Sequence, residues 1–128
     1  QSAGSLGVGS RDLRDGPEAA FAAYLKRHAS NDLEGVLELF SASAVVEDPV
    51  GTPAWTGLAA IRSFYSGTYL RNGTMRVDPV GPALVGGFEL VAHVRAALDA
   101  PGSPPAMDVI YVIRFAADGK IESLRAWY

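Results

Sequence analysis

Two adjacent acids, Glu47 and Asp48 in the stretch VVEDPVG, are of a type and position suited to chemistry. The valines before them favour a strand, and side chains alternate along a strand, so one acid would point inward. A carboxylate buried without a partner has a raised pKa and could move protons. The structural alternative is that Asp48, Pro49 and Gly51 form an ordinary type I turn, which the local sequence favours.

Two tyrosines are predicted to point inward as well. Tyr24 follows Phe21 and precedes Leu25 and His28 at helical spacing, so it lies on the buried face of a helix. Tyr111 belongs to the apolar parity of the strand MDVIYVIRF. Each alone is typical of a core tyrosine. Together with an inward acid, two phenols could hold a carbonyl oxygen while the acid removes a neighbouring proton, which is enolisation.

Composition argues against several other classes of function. The 128 residues include no cysteine, which removes thiol nucleophiles and thiolate metal sites and is typical of a cytoplasmic protein. The two histidines, His28 and His93, have no spacing that suits a metal, and no dinucleotide motif occurs, so we predict neither metal nor cofactor. A net charge of -3 with scattered basic residues argues against nucleic acid, and no apolar run could span a membrane.

Predicted helices come mainly before predicted strands. Residues 1–15 are rich in Gly and Ser and are expected to be a flexible N-terminal arm or an expression remnant, and residues 16–128 a single domain. Helices are predicted from Pro17, from Leu33 to about Phe40, and in GLAAIRSFYSGTYL. Strands are predicted at 43–48, in TMRVDPV, at about 87–98, in MDVIYVIRF and in KIESLRAWY. This order favours an α+β domain with three helices on a curved, mostly antiparallel sheet.

Four segments of the sequence resemble a known family. NDLEGVLELFSASAVVEDPVG, AAIRSFY, MDVIYVIRF and GKIESLRA together resemble the Δ5-3-ketosteroid isomerases of the NTF2-like, or SnoaL-like, superfamily. The resemblance extends from about Glu18 to Tyr128, and its most specific features are VEDPVG and a tyrosine 24 residues before the aspartate. It implies a conical α+β barrel, a homodimer formed through the outer face of the sheet, and an apolar pocket for a steroid or a similar polycyclic ketone.

The resemblance also implies a role for each matching residue. Asp48 matches the base that moves a proton from C4 to C6 of the steroid, which would direct it into the pocket and Glu47 outward. Tyr24 matches the main donor to the oxyanion, and Tyr65 matches the tyrosine that hydrogen-bonds to it. The substrate pocket is expected to be lined by Phe40, Phe64, Val109 and Tyr128.

This chain departs from the family pattern at Tyr111, where the family has a protonated aspartic acid that donates the second hydrogen bond to the oxyanion. A phenol also donates at neutral pH, but it is longer and wider than an aspartic acid. The sequence therefore predicts a cofactor-free enzyme of the Δ5-3-ketosteroid isomerase type, with Tyr24 and Tyr111 holding the enolate. Two alternatives stay open: a natural-product tailoring enzyme, such as a polyketide cyclase or an epoxide hydrolase, and a non-catalytic dimer that binds a small ligand.

Overall fold

Three helices and seven strands make up residues 16–128, the part of the chain that the computed structural model describes. The helices are α1 (Pro17–Ala29), α2 (Leu33–Leu37) and α3 (Leu58–Asn72). The strands are β1 (Phe40–Glu47), β2 (Trp55–Thr56), β3 (Met75–Pro79), β4 (Leu84–Gly86), β5 (Glu89–Leu98), β6 (Met107–Phe115) and β7 (Ile121–Trp127). The predicted arm, residues 1–15, lies outside the described residues. None of the described helices is long and apolar enough to cross a membrane.

The strands form one curved, open sheet in the order β2-β1-β7-β6-β5-β3, with β4 also paired to β5. Neighbouring strands are antiparallel except β1 and β7, which run parallel. The edge strands β2 and β3 do not pair with each other, so the sheet remains open. The predicted α+β class is therefore confirmed, and the short strands β2 and β4 are additions that the sequence pattern did not reveal.

Helix α1 forms where its sequence favours a start and an apolar face. Pro17 occupies the first turn, where a missing backbone N–H costs no hydrogen bond. Phe21, Tyr24, Leu25 and His28 are all buried on one face, as their spacing predicted. This face packs into the core beneath the sheet and carries the side chains of Tyr24 and His28 inward.

Helix α2 is shorter than predicted. Its start is confirmed, because the Asp32 carboxylate caps it by accepting the Gly35 N–H at 3.0 Å. The helix ends at Leu37, however, and Phe40 already belongs to β1, where it pairs with Ile121. The apolar spacing fitted a helix, but pairing with β7 determines the backbone conformation of this segment.

Strand β1 ends immediately before Asp48. The turn predicted at 48–51 lies one residue later, because the Thr52 backbone N–H donates to the Pro49 carbonyl at 3.2 Å. The Thr52 hydroxyl donates to the same carbonyl at 2.7 Å, and the Val50 N–H donates to the Ala126 carbonyl at 2.8 Å. The bonds from Thr52 close the turn, and the bond from Val50 ties it to β7, so Asp48 lies at the end of the strand next to a fixed turn.

The core lies between the helices and one face of the sheet. On β6, Val109, Tyr111, Ile113 and Phe115 are buried, whereas Ile110 is exposed on the opposite face, as the predicted alternation requires. Similar alternation on β5 buries its even-numbered residues from 90 to 94. The sheet thus directs one parity of each central strand toward the helices, and the candidate site lies on that side.

Candidate functional site

A cavity of about 380 Å³ lies between α3, the helix-covered side of β5 and β6, and the end of β1. Its volume is in the range of pockets that hold small organic ligands. The apolar lining includes Phe64, Met75, Leu98, Met107 and Val109. Polar groups lie among them: Asp48, Tyr111, Tyr128, His28, Thr68, Arg71 and Asn72. A largely apolar pocket with a few polar groups suits an apolar ligand that must be held in one orientation.

Asp48 is a half-buried carboxylate in the wall of this cavity. Burial raises its pKa above the ordinary value, and a hydrogen bond from the Tyr128 hydroxyl at 2.7 Å partly opposes that rise. Among residues 16–128 no Lys, Arg or His forms an ion pair with Asp48. Glu47, in contrast, points outward and pairs with Arg125 at 2.9 Å. The adjacent acids therefore lie in opposite environments.

Three buried tyrosines, Tyr24, Tyr65 and Tyr111, form a cluster on this side of the core, and Tyr111 alone of the three lines the cavity. The hydroxyl oxygens of Tyr24 and Tyr65 lie 2.8 Å apart, and both side chains are fully buried. The Tyr111 ring lies 5.8 Å from the Tyr24 ring and lines the cavity. Burial is the main cause that raises the pKa of all three phenols, and a hydrogen bond with Tyr24 partly lowers the pKa of Tyr111. All three remain protonated at neutral pH and can donate hydrogen bonds.

His28 is a further part of the site. Sequence reasoning placed it on the buried helix face but gave it no role. Its ring stacks on Tyr24 at 5.2 Å, its Nδ1 lies 2.9 Å from the Tyr69 hydroxyl, and it lines the cavity. Burial lowers the pKa of His28 to about 4, so the imidazole is neutral at pH 7. Its place one helical turn after Tyr24 was the signal for this proximity.

The structure separates the predicted site residues into two groups. Asp48, Tyr111, Phe64, Val109 and Tyr128 line the cavity. A second group, Tyr24, Tyr65 and Phe40, lies in the core behind it and is not part of the lining.

Phe40 is only 1% exposed, and its ring contacts those of Tyr24 and Tyr65 at 6.4 and 6.0 Å. Because β1 begins at Phe40, its side chain packs beneath the tyrosines rather than in the cavity.

One stripe of α3 was missed by sequence reasoning. Thr68, Arg71 and Asn72 follow Phe64 by four, seven and eight residues, which is the spacing of one helix face. The sequence showed this spacing but not what the face would contact. Within the described residues, no group of three or more His, Asp or Glu side chains could hold a metal ion.

Comparison with known proteins identifies similar sequences. Residues 19–124 match the SnoaL-like domain. The chain is 32% identical over 111 residues to the Steroid Delta-isomerase of Nocardioides simplex, which covers 87% of this chain and 88% of that protein. It is also 32% identical over 110 residues to the Epoxide hydrolase LasB of Streptomyces lasalocidi, covering 82% of this chain but only 38% of that protein. Equal identity to relatives named for different reactions leaves the choice of activity to the site.

The buried neutral His28 should make the protein less stable in mild acid. The unfolded chain protonates His28 near pH 6.5 and the folded chain only near 4, so between these values the unfolded state binds more protons. The free energy of unfolding should therefore fall as the pH falls, by up to about 3 kcal/mol from this residue. Denaturant unfolding of the wild type and of His28→Gln at pH 4 to 7 measures the difference.

The raised pKa of Asp48 acts in the opposite direction over an overlapping range, but it is common to both proteins. The comparison therefore isolates His28. Parallel pH profiles for the two proteins would contradict this prediction.

Removing the Tyr128 hydroxyl should raise the pKa of Asp48 further, because that hydroxyl donates to the carboxylate and stabilises its charged form. Carbon-13 NMR titration of the Asp48 carboxyl in Tyr128→Phe measures the change. Tyr69→Phe is the control, since that hydroxyl contacts His28 instead. An unchanged or lower Asp48 pKa in Tyr128→Phe would show that the bond does not control the titration of Asp48.

Proposed function

The chain belongs to the SnoaL-like domain family, and we propose that within it the chain is a cofactor-free isomerase of the Δ5-3-ketosteroid isomerase type. One observation carries the proposal: a carboxylate with a raised pKa, Asp48, and a protonated phenol, Tyr111, line the same largely apolar cavity. Enolisation needs a base for the proton and a donor for the developing oxyanion. This chain covers 88% of the length of the steroid isomerase relative, which supports the same class of activity.

In the proposed reaction Asp48 takes a proton from C4 of the 3-oxo-Δ5-steroid and returns it to C6. The C4–H electrons form the dienolate, whose negative charge lies on the ketone oxygen. Return of the proton moves the double bond into conjugation. The raised pKa makes Asp48 a stronger base than an exposed carboxylate, and the half-buried position leaves its oxygen within the cavity. The substrate would replace the hydrogen bond from Tyr128.

We assign the direct hydrogen bond to the dienolate oxygen to Tyr111, and to Tyr24 the position behind it. This assignment is supported by exposure, since Tyr111 lines the cavity and Tyr24 is wholly buried. Tyr24 and Tyr65 share a hydrogen bond, and the Tyr24 and Tyr111 rings lie 5.8 Å apart. Linked hydroxyl groups next to a donor help to spread the charge of an oxyanion.

A second candidate is an epoxide hydrolase or a polyketide cyclase. The similarity to the epoxide hydrolase favours it, as does the pairing of a phenol, Tyr128, with the carboxylate of Asp48. Such a pair could activate water and protonate an oxygen leaving group.

A non-catalytic dimer that binds a small ligand is the third candidate, and it gives no reason for a carboxylate of raised pKa beside a donor. The cytoplasmic location stays a prediction.

A steroid assay tests the lead proposal. Purified protein should convert a Δ5-3-ketosteroid to its conjugated Δ4 isomer, followed by the ultraviolet absorbance of the enone. Asp48→Asn should lower kcat by at least about 100-fold, because it removes the proton carrier. Tyr111→Phe should lower it by roughly 100-fold as well, because it removes an oxyanion donor.

The matched control for the base is Asp108→Asn, which changes an exposed acid on the other face of β6 that pairs with His93. It should retain wild-type turnover. Steroid binding without conversion would favour the ligand-binding reading. Conversion that survives in both Asp48→Asn and Tyr111→Phe would exclude the assigned roles, and hydrolysis of an epoxide without steroid turnover would favour the second candidate.

We further propose a homodimer formed through the outer face of the sheet. Val91, Ile110 and Trp127 are between 37 and 40% exposed on three adjacent strands of this face. The pairing of Ile110 with Trp127 brings two of these side chains together. Ion pairs such as Arg95–Asp108 lie around them. An apolar centre with a charged rim is typical of an interface between subunits.

A charge placed in this patch should separate the subunits. Val91→Glu should sediment as a monomer at concentrations at which the wild type sediments as a dimer, because a buried unpaired carboxylate opposes association. Leu70→Glu is the control, since Leu70 is 86% exposed but lies on α3, away from the outer sheet face. A monomeric wild type, or dissociation by Leu70→Glu alone, would contradict the proposed interface.

A further inference from the structure

The cavity has a basic end that the proposed isomerisation does not use. Arg71, Thr68 and Asn72 of α3 line it together with Leu98 and Met75. Asp48 and Tyr111 line the same cavity. The first set belongs to α3, whereas Tyr111 belongs to β6 and Asp48 follows the end of β1. The spacing of residues along β6 and α3 gives the distance between the two sets.

Two elements give the direction of the cavity. Along β6 the lining runs from Tyr111 through Val109 to Met107, a separation of about 13 Å at the rise of a strand. Met107 pairs with Ala96 of β5, two residues from Leu98, which pairs with Met75. The Met75 side of the cavity is therefore remote from Tyr111.

Helix α3 also runs from the end of the cavity near Asp48 toward the end near Met75. Phe64 contacts Trp55, which pairs with Val46, two residues before Asp48. Arg71 follows Phe64 by seven residues, about 10 Å along a helix axis. The backbone of Arg71 thus lies toward the end of the cavity that is remote from the base, and its guanidinium turns back by one helical turn to lie beside Gly67.

Arg71 differs from the other arginines in residues 16–128. Each of the others has a carboxylate within 4 Å, at Glu38, Glu34, Asp99, Asp108, Glu89 with Glu122, and Glu47. Within that same range Arg71 has neither an ion pair nor a side-chain hydrogen bond. Arg71 is exposed, and a cavity-lining guanidinium with no protein carboxylate keeps its donors available to water or to a ligand.

The helix also leaves room for this guanidinium. A Cβ at Gly67 would lie 3.2 Å from Nη1 of Arg71, so the arginine side chain turns back over the glycine one helical turn earlier. Gly67 lies inside α3, where glycine is less favourable than alanine by about 1 kcal/mol. The absence of a side chain at Gly67 therefore leaves space for the Arg71 guanidinium. The next residue, Thr68, also lines the cavity.

We propose that the substrate carries a carboxylate at the end remote from its reacting ketone, and that Arg71 binds that carboxylate. A guanidinium can donate two parallel hydrogen bonds to a carboxylate, and the amide of Asn72 adds a neutral donor beside it. The Thr68 hydroxyl is not a donor here, because it donates to the Phe64 carbonyl at 2.9 Å. The apolar wall between the two ends fits the hydrocarbon body. This inference deepens the proposed function and rests on it for the position of the ketone; the substrate class is a polycyclic keto acid.

Equilibrium binding tests the inference without turnover. Isothermal calorimetry with the full chain would compare 3-oxoandrost-4-ene-17β-carboxylate with its methyl ester, which have the same ring system and differ in charge. The acid should bind the wild type roughly five-fold more tightly than the ester, the effect of one partly exposed ion pair. Arg71→Gln should abolish that preference by weakening binding of the acid more than binding of the ester, whose carbonyl can accept a neutral hydrogen bond from either side chain. Raising the salt concentration should weaken binding of the acid alone.

The matched control is Arg76→Gln. Arg76 lies on β3, is exposed, and does not line the cavity, so its loss changes the net charge equally. It should keep the preference for the acid. Equal affinities for acid and ester in the wild type, an unchanged preference in Arg71→Gln, or no binding of either ligand would overturn the inference.

The two proposals fail separately. An Arg71-dependent preference for the acid in a protein that does not isomerise Δ5-ketones would leave the carboxylate site at Arg71 standing and reject the isomerase, and with it the position of the ketone. Steroid turnover with no preference for the acid would do the reverse.

Discussion

The hydrogen bond between the hydroxyls of Tyr24 and Tyr65 is the interaction on which the site depends. Both groups are fully buried, and a buried hydroxyl without a partner is costly. Tyr24 comes from α1 and Tyr65 from α3, so the bond fixes the two helices relative to each other. Tyr111 from β6 packs edge-on against Tyr24 and brings the sheet into the same arrangement. The cavity wall is therefore set by three elements that are distant in sequence.

Removal from water has opposite effects on the titrating groups around this bond. It raises the pKa of Asp48 and of the buried phenols, and it lowers that of His28. A phenol is neutral at pH 7 even in water, and the lowered pKa of His28 keeps its imidazole neutral as well. Asp48 is then the group able to change its charge near the ligand, which is the property that the proposed proton transfer uses. The same desolvation therefore lowers the stability of the fold in acid, through His28, and raises the basicity of Asp48.

The resemblance to the ketosteroid isomerases implies an acid at the position that Tyr111 occupies in this chain, and a tyrosine there gives the site a different shape as well as a different donor. The ring fills space that an aspartic acid would leave open, and it stands between the cavity and Tyr24. A substrate in this cavity therefore meets Tyr111 first. At the other end Arg71 provides a positive charge that the core does not neutralise. The apolar length between these residues favours an elongated ligand whose two ends differ in chemistry.

Much of the fold could be predicted from local pattern. The period of apolar residues located α1, α3 and the long strands, and the alternation in MDVIYVIRF placed Tyr111 inward and Asp108 outward. Pattern was less successful at Phe40, where helical spacing continued into a strand. Strand pairing is a non-local interaction, and it overrides local propensity where the two disagree. The parallel pairing of β1 with β7 has no signal in either strand alone.

The sequence by itself determined which face of each element is apolar, because that depends on the spacing of neighbouring residues. It thereby placed Asp48 at a strand end and Tyr24 and Tyr111 on inward faces. Only the tertiary structure decided how deep each inward residue lies: Tyr111 in the cavity wall, Tyr24 behind it, and Arg71 at the cavity without a carboxylate. The distance of each side chain from the cavity depends on how the helices and the sheet pack against each other. The spacing of residues along a single helix or strand cannot predict that packing.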